Sequence, residues 1–326
     1  MRQFLKVAVG VLVAALAAAC PPAVMAQDAF PSRTVRLIVP YAAGGTTDVV
    51  ARMIGQKLGE LWGQTVVVEN RPGGGTVIAS TTLIKSPPDG YTWMLANNTH
   101  VINEHLIAKL PFDPIKDFTP LSTLATADYL LLVNSSLPVN TLQEFVTHAK
   151  ARPGKINFGT HGVAGLTHLA VNLFQAQADI KLQLVQYKGA GPAMIGMLGN
   201  EIQVYFDAAA TVLPHIQSGK LKPLGVTGRQ RVPVLPQVPT LQESGLPQFD
   251  VTIWYGLLAP AGVPAPVAEK IRAGVATVMA RPDIRSQLAM LGVQPFVSVP
   301  GQFEAMMKSD SVKYGEIIRA GNIKPE

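Results

Sequence analysis

The sequence predicts an α/β fold of two doubly wound domains, and three observations carry that expectation. Short runs of β-branched and aliphatic residues alternate with stretches whose apolar residues recur at helical spacing. Glycine-bearing turns stand where strands would pass into helices. At 326 residues, the chain is long enough for two cores of ordinary domain size.

The opening unit sets the pattern. Residues 35–39 read as a strand closed by Pro40, and a turn from Tyr41 through Gly44 and Gly45 to Asp48 follows. Val50, Met53, Ile54, Leu58 and Leu61 then recur at helical spacing up to Gly63. Gly44 and Gly45 are expected to supply positive φ and to leave no side chain between backbone and ligand. Thr46 and Thr47 are the expected N-caps. The first amides of a helix have no partner within it, and the dipole's positive end lies beside them. An anion is therefore favoured just outside this turn. An ordinary β–α turn would read the same way, so the weight comes from its recurrence.

Residues 65–69 predict a second strand, buried on both faces, which runs into Gly73-Gly74-Gly75. A helix over 77–84, a stop at Pro87-Pro88-Asp89-Gly90 and a strand over 91–95 follow. This order implies a parallel sheet with right-handed crossovers. Neither glycine turn continues into the Lys-Ser/Thr of a phosphate loop or matches a dinucleotide fingerprint, which argues against a nucleotide. Residues 129–133 form the next strand, and a helix over 141–151 is stopped by Arg152-Pro153-Gly154. The opening pattern then repeats. A strand over 155–158, a loop over 159–165 and a helix over 167–176 lead to a strand over 182–187. Its loop holds Lys188 and Gly189, and Pro192 opens the next helix. A strand over 202–206 ends at Asp207. The turns after Val39, Phe158, Tyr187 and Phe206 could all offer amides or short polar side chains to one cleft. Ligands of open α/β sheets sit at such carboxyl ends of strands.

Residues 232–247 hold four prolines and predict a surface loop packed across one domain. A strand over 252–258 and helices over 267–279, 284–291 and 302–320 complete the chain. The aliphatic strands at 130–133 and 252–258 are candidates for two crossings between domains. Residues 27–129 with 252–326 then form a discontinuous first domain, and residues 130–251 an inserted second one, a geometry suited to hinge closure.

Residues 1–26 have the form of a signal peptide, with basic Arg2 and Lys6, an apolar run over 7–19 and Val24-Met25-Ala26 at the cleavage point. Cleavage after Ala26 would deliver the protein to the periplasm. Lipid attachment at Cys20 is the alternative. Cys20 is the only cysteine, so neither an internal disulfide nor a Cys/His zinc site is available. No later apolar stretch reaches membrane length, and the mature chain is expected to be soluble. Removing Arg2 and Lys6 from the net charge of +6 leaves +4, scattered without a basic block, which argues against nucleic acid.

Several segments together resemble one family. Pro40-Tyr41-Ala42-Ala43-Gly44-Gly45 with Asp48 and Arg52 is similar to the first ligand loop of the tripartite tricarboxylate transporter receptors, the Bug-type (TctC-like) periplasmic solute-binding proteins. Asn70-Arg71-Pro72-Gly73-Gly74, Pro88-Asp89-Gly90-Tyr91-Thr92, Tyr187-Lys188-Gly189, Leu235-Pro236-Gln237-Val238-Pro239-Thr240-Leu241 and Trp254-Tyr255-Gly256 continue the pattern in order. The resemblance implies a type II periplasmic-binding-protein fold, two α/β domains joined by a hinge. It implies a monomeric receptor that delivers a small carboxylate to a membrane permease of one large and one small subunit. It also implies that two loops hold one carboxylate, here Tyr41, Ala42, Ala43, Gly44, Gly45, Thr46 and Thr47, with Thr160, His161, Gly162, Val163, Ala164 and Gly165. Asp48 would brace the first loop through Arg52, one helical turn on. The second loop departs from the family pattern, with Gly165 in place of the customary serine. His161 is a candidate added donor to the ligand's far end.

Lys188 could pair with a distal carboxylate or simply face solvent. Asp207 is a ligand-ordering or hinge-proximal candidate. Trp254 and Tyr255 read as buried strand aromatics. No nucleophile elbow, positioned nucleophile–histidine pair or metal motif is present, so no catalytic residue, metal or cofactor is assigned. A co-receptor for a membrane sensor kinase is the alternative role.

Overall fold

The computed structural model describes residues 30–161, 165–187, 190–321 and 323. The chain divides into two units, Met1–Ser32 and Arg33–Glu326, and the second carries the fold. The expected signal segment and Cys20 lie outside the described residues.

Strands β1 (Val35–Val39), β2 (Val66–Asn70) and β3 (Thr92–Ala96) alternate with helices α1 (Thr46–Trp62) and α2 (Val77–Ile84). β1 pairs in parallel with both β2 and β3, as the β-α-β-α-β order requires. Helix α3 (Thr99–Leu106) then leads to β4 (Phe118–Asn134), a strand of 17 residues. Beyond it come α4 (Leu142–Lys150), β5 (Asn157–His161), α5 (Leu166–Ala178), β6 (Gln183–Tyr187), α6 (Ala190–Leu198), β7 (Val204–Ala208), α7 (Ala209–Gln217) and β8 (Leu221–Val226). Strand β9 (Thr252–Pro260), α8 (Ala265–Met279), α9 (Pro282–Met290), β10 (Val293–Pro295) and α10 (Gln302–Ala320) close the chain.

β4 is the spine of the molecule. Residues 118–128 pair antiparallel with β9, from Phe118↔Pro260 to Asp128↔Thr252, and residues 125–127 also pair with β10. From Tyr129 onward the same strand pairs instead with β7 and β8. The strand order is β2-β1-β3-β9-β4-β7-β5-β6, so β4 joins two half-sheets, each with its own parallel part. One core gathers Ile38, Met94, Trp254, Leu258, Phe303 and Met307; another gathers Leu130, Leu132, Met197, Tyr205, Val212 and Val226. Val232, Leu235 and Val238 belong to the second core, which is why the proline-rich segment lies fixed across that half.

Three local expectations are corrected. β2 is not buried on both faces: it is the edge strand, and Val67 is 47% exposed. The loop expected from Gly159 begins later, because β5 runs on through Gly159, Thr160 and His161. Gly159 serves close packing rather than a turn, since a Cβ there would lie 2.2 Å from Ile202 Cδ1. The strand expected over residues 129–133 begins much earlier, at Phe118, and runs to Asn134.

Candidate functional site

The first loop follows β1, and its residues Ala42, Ala43, Gly44 and Gly45 are exposed. Only Gly44 uses the left-handed region, with φ +90°; Gly45 is extended at φ −78°. Gly45 is also the N-cap, so Thr46 and Thr47 lie inside α1 rather than capping it. No side chain caps this helix, so its leading amides have no side-chain acceptor at the cap.

Asp48, in the first turn of α1, takes over the work of tying the loop down. Its Oδ2 accepts from the Gly44 amide at 2.9 Å and from Arg52 Nε at 3.0 Å. Its Oδ1 accepts from Asn70 Nδ2 at 2.9 Å and pairs with Arg52 Nη2 at 3.0 Å. The same Asn70 amide donates to the Tyr41 carbonyl at 3.0 Å, so the end of β2 holds both ends of the loop. Burial raises the Asp48 carboxyl, but the hydrogen bonds from Arg52, Gly44 and Asn70 outweigh it and hold it at about 2. Asp48 is thus a buried, ionised and fully engaged carboxylate.

Tyr41 turns from this loop to donate its hydroxyl to Asn97 Oδ1 at 2.7 Å, at the end of β3. Burial pushes that hydroxyl up to about 12. Next to Asn97, Asn98 donates to the Thr252 carbonyl and to Asp310, and accepts from the Trp254 amide. Trp254 Nε1 also donates to Asp310 at 2.8 Å, so Trp254 is a buried structural aromatic, as its strand position suggested. Tyr255, on the other face of β9, is 5% exposed.

Asp207 is 5% exposed at the carboxyl end of β7, opposite Leu130 of β4. Its Oδ1 accepts from the Ala208 amide at 2.7 Å, immediately before α7. Among the described residues it has no ion-pair partner. Burial pushes its carboxyl up to about 6, against the hydrogen bonds from Ala208 and Thr211. Tyr129 stands at the β4 crossing, and its hydroxyl is raised well above the usual range by burial and by the nearness of Tyr255, Asp207 and Tyr41.

Thr160 is buried in β5, whose last residue, His161, pairs with Tyr187 of β6. Gly165 is the N-cap of α5, again without a side-chain cap. The side chain of His161, and Gly162, Val163, Ala164 and Lys188, lie outside the described residues. Sequence reasoning missed Asn70, Asn97 and the polar tip of Tyr129. The signal for Tyr129 was available, as the one polar residue opening the aliphatic run of residues 129–133. Among the described residues, no group of three or more His, Cys, Asp or Glu side chains could hold a metal ion.

Two half-sheets about a shared strand, with open helix starts and polar groups gathered at strand ends, define a solute-binding protein of the periplasmic type. Residues 50–323 match the tripartite tricarboxylate transporter family receptor, TctC, and the chain belongs to that family. A UPF0065 protein from the tcbD-tcbE intergenic region of Pseudomonas sp. (strain P51) is 33% identical over 292 residues, covering 89% of this chain and 87% of that one. The structure of R. palustris Rpa4515 with adipate superposes with a TM-score of 0.82 at 29% identity, covering 91% of this chain and all of that one. MatC from Rhodopseudomonas palustris, with bound malate, gives a TM-score of 0.76 at 31% identity, covering 89% of this chain and all of that one. The family is one of periplasmic binding receptors, not enzymes.

Proposed function

We propose that this protein captures a small carboxylate between its two half-sheets and hands it to a tripartite tricarboxylate-type permease of large and small subunits. The observation that carries this reading is the uncapped start of α1 behind an exposed loop whose own acid, Asp48, is wholly engaged inward. A ligand carboxylate placed there meets amide donors and the positive helix end, with no competing free carboxylate in the loop. Tyr41 to Thr47 form one side of the cradle, and residues 160–165 the other. Lys188, outside the described residues, is the candidate partner for a distal carboxylate, and Asp207 a ligand-ordering or hinge-proximal group. Residues 27–129 with 252–326, and 130–251, are the two closing domains of a monomer exported by its first 26 residues. The structures with adipate and malate supply the first candidates, within a range of di- and tricarboxylates, acidic amino acids and aromatic acids.

The test is a thermal-shift screen of carboxylic acids on protein unfolded and refolded to strip bound ligand. An acid at one hundred times its Kd should add about 2.7 kcal/mol of stability. Gly44→Val should abolish that gain while the variant remains folded. No response from any carboxylate by demonstrably folded protein would contradict the reading.

A further inference from the structure

A cavity of about 600 Å³ lies beside the point where β4 passes from one half-sheet to the other, and no residue of the two candidate carboxylate loops lines it. Its floor is one face of the sheet. Asp128 of β4 pairs with Thr252 of β9, and Thr126 with Trp254 of β9 and Gln294 of β10, so these five side chains share that face. Met306, Ser309, Asp310 and Lys313 of α10 form one wall, and Arg229, just beyond β8, another. The helix is pinned to the floor, since Trp254 Nε1 and Asn98 Nδ2 both donate to Asp310. The charges in this cavity do not balance. Asp310 pairs with Lys313 at 2.9 Å and Asp250 with Arg229 at 2.9 Å, so both cations are engaged. The third acid, Asp128, is 9% exposed and has no cation beside it among the described residues. Thr252 donates its hydroxyl to Asp128 Oδ1 at 2.8 Å, and Oδ2 has no described partner. Gly228 keeps room beside that carboxyl, because a Cβ there would lie 2.3 Å from either oxygen. Burial pushes the carboxyl up to about 6, against the Thr252 hydrogen bond and with Asp250 adding to the rise.

We propose that this cavity binds a small organic cation, an ammonium or amidinium compound, with Asp128 as its counter-ion. The volume is in the range of small-molecule sites, and Phe296 and Met306 offer apolar surface to the carbon part of such a ligand. A buried carboxylate without a cation is costly, and a bound ammonium supplies both the missing charge and donors for Oδ2. Three acids against two bases leave the lining net negative, so an anion of the same size is disfavoured. The site is independent of carboxylate capture, because it shares no residue with the loops that carry that reading.

The experiment titrates the full chain at pH 8 with three probes of similar size: 2-phenylethylamine, 2-phenylethanol and phenylacetate. Each is also titrated into Gly44→Val, which removes the carboxylate cradle. Calorimetry should show the amine binding with a Kd below about 1 mM to both proteins, at least tenfold more tightly than the alcohol. Phenylacetate should not bind Gly44→Val. Asp128→Asn, close to isosteric, should weaken the amine at least tenfold and leave the alcohol within threefold. Ser309→Trp, at an exposed position of α10, should block the amine by filling the cavity. Equal binding of amine and alcohol, amine binding that neither Asp128→Asn nor Ser309→Trp changes, or amine binding lost in Gly44→Val would overturn the proposal. So would no amine binding to demonstrably folded protein. Should Asp128→Asn not fold, Ser309→Trp and the comparison of amine with alcohol decide the matter.

Discussion

Two aspartates of nearly equal burial mark the two halves of this molecule, and they carry opposite electrostatics. Asp48 in the first half accepts from an amide, an arginine and an asparagine and stays ionised down to about pH 2. Asp207 in the second half has an amide and a hydroxyl but no described cation, and titrates near 6. Burial pushes both upward; at Asp48 the hydrogen bonds from Arg52, Gly44 and Asn70 outweigh it, and at Asp207 those from Ala208 and Thr211 do not. One acid is a strut inside a loop. The other is a buried acid with no cation beside it among the described residues.

The strongest way to break the comparison is to remove the strut. Asp48→Ala leaves Arg52, Asn70 and the Gly44 amide without their acceptor, and should cost about 3 kcal/mol at pH 7 by urea unfolding, together with most carboxylate binding. Because its folded value lies below the unfolded one, the stability Asp48 contributes is present above about pH 4 and lost as pH falls towards 2. Asp207 has the opposite sign. Its folded value lies above the unfolded one, so stability is fullest below about pH 4 and declines as pH rises through 6. Asp207→Asn, which mimics the protonated form, should remove part of that slope and gain about 2 kcal/mol at pH 8 relative to its effect at pH 4. An equal effect at both pH values would remove the distinction between the two acids.

The smallest expected effect concerns the two loop glycines. Gly44→Ala forces an L-residue into φ +90° and should cost about 1 kcal/mol by thermal melting, whereas Gly45→Ala, extended and in open space, should stay within about 0.5 kcal/mol. Equal costs would show that steric room, not backbone conformation, limits this loop.

What the sequence revealed follows from how local each signal was. The strand–turn–helix over residues 35–62 was readable because its apolar spacing and glycines are contiguous. The Asp48–Arg52 contact was readable because it spans one helical turn. Asn70 and Asn97 were not, since they reach the loop from other strands, 29 and 56 residues away along the chain. The length of β4 was hidden because residues 118–128 mix threonine, proline and alanine, and become a strand only through pairing with β9. Gly159 misled because glycine marks a turn in sequence but here permits close approach to Ile202. Thr46 and Thr47 misled because the cap position slipped back onto Gly45 once Asp48 bound the Gly44 amide.

The most direct measurement is a carbon-13 NMR titration of the aspartate carboxyls in ligand-free protein, with Asp48 and Asp207 assigned through their asparagine variants. The account expects Asp48 to remain ionised to about pH 2 and Asp207 to titrate near pH 6. Both titrating together near 4, the ordinary value for an aspartate, would contradict it.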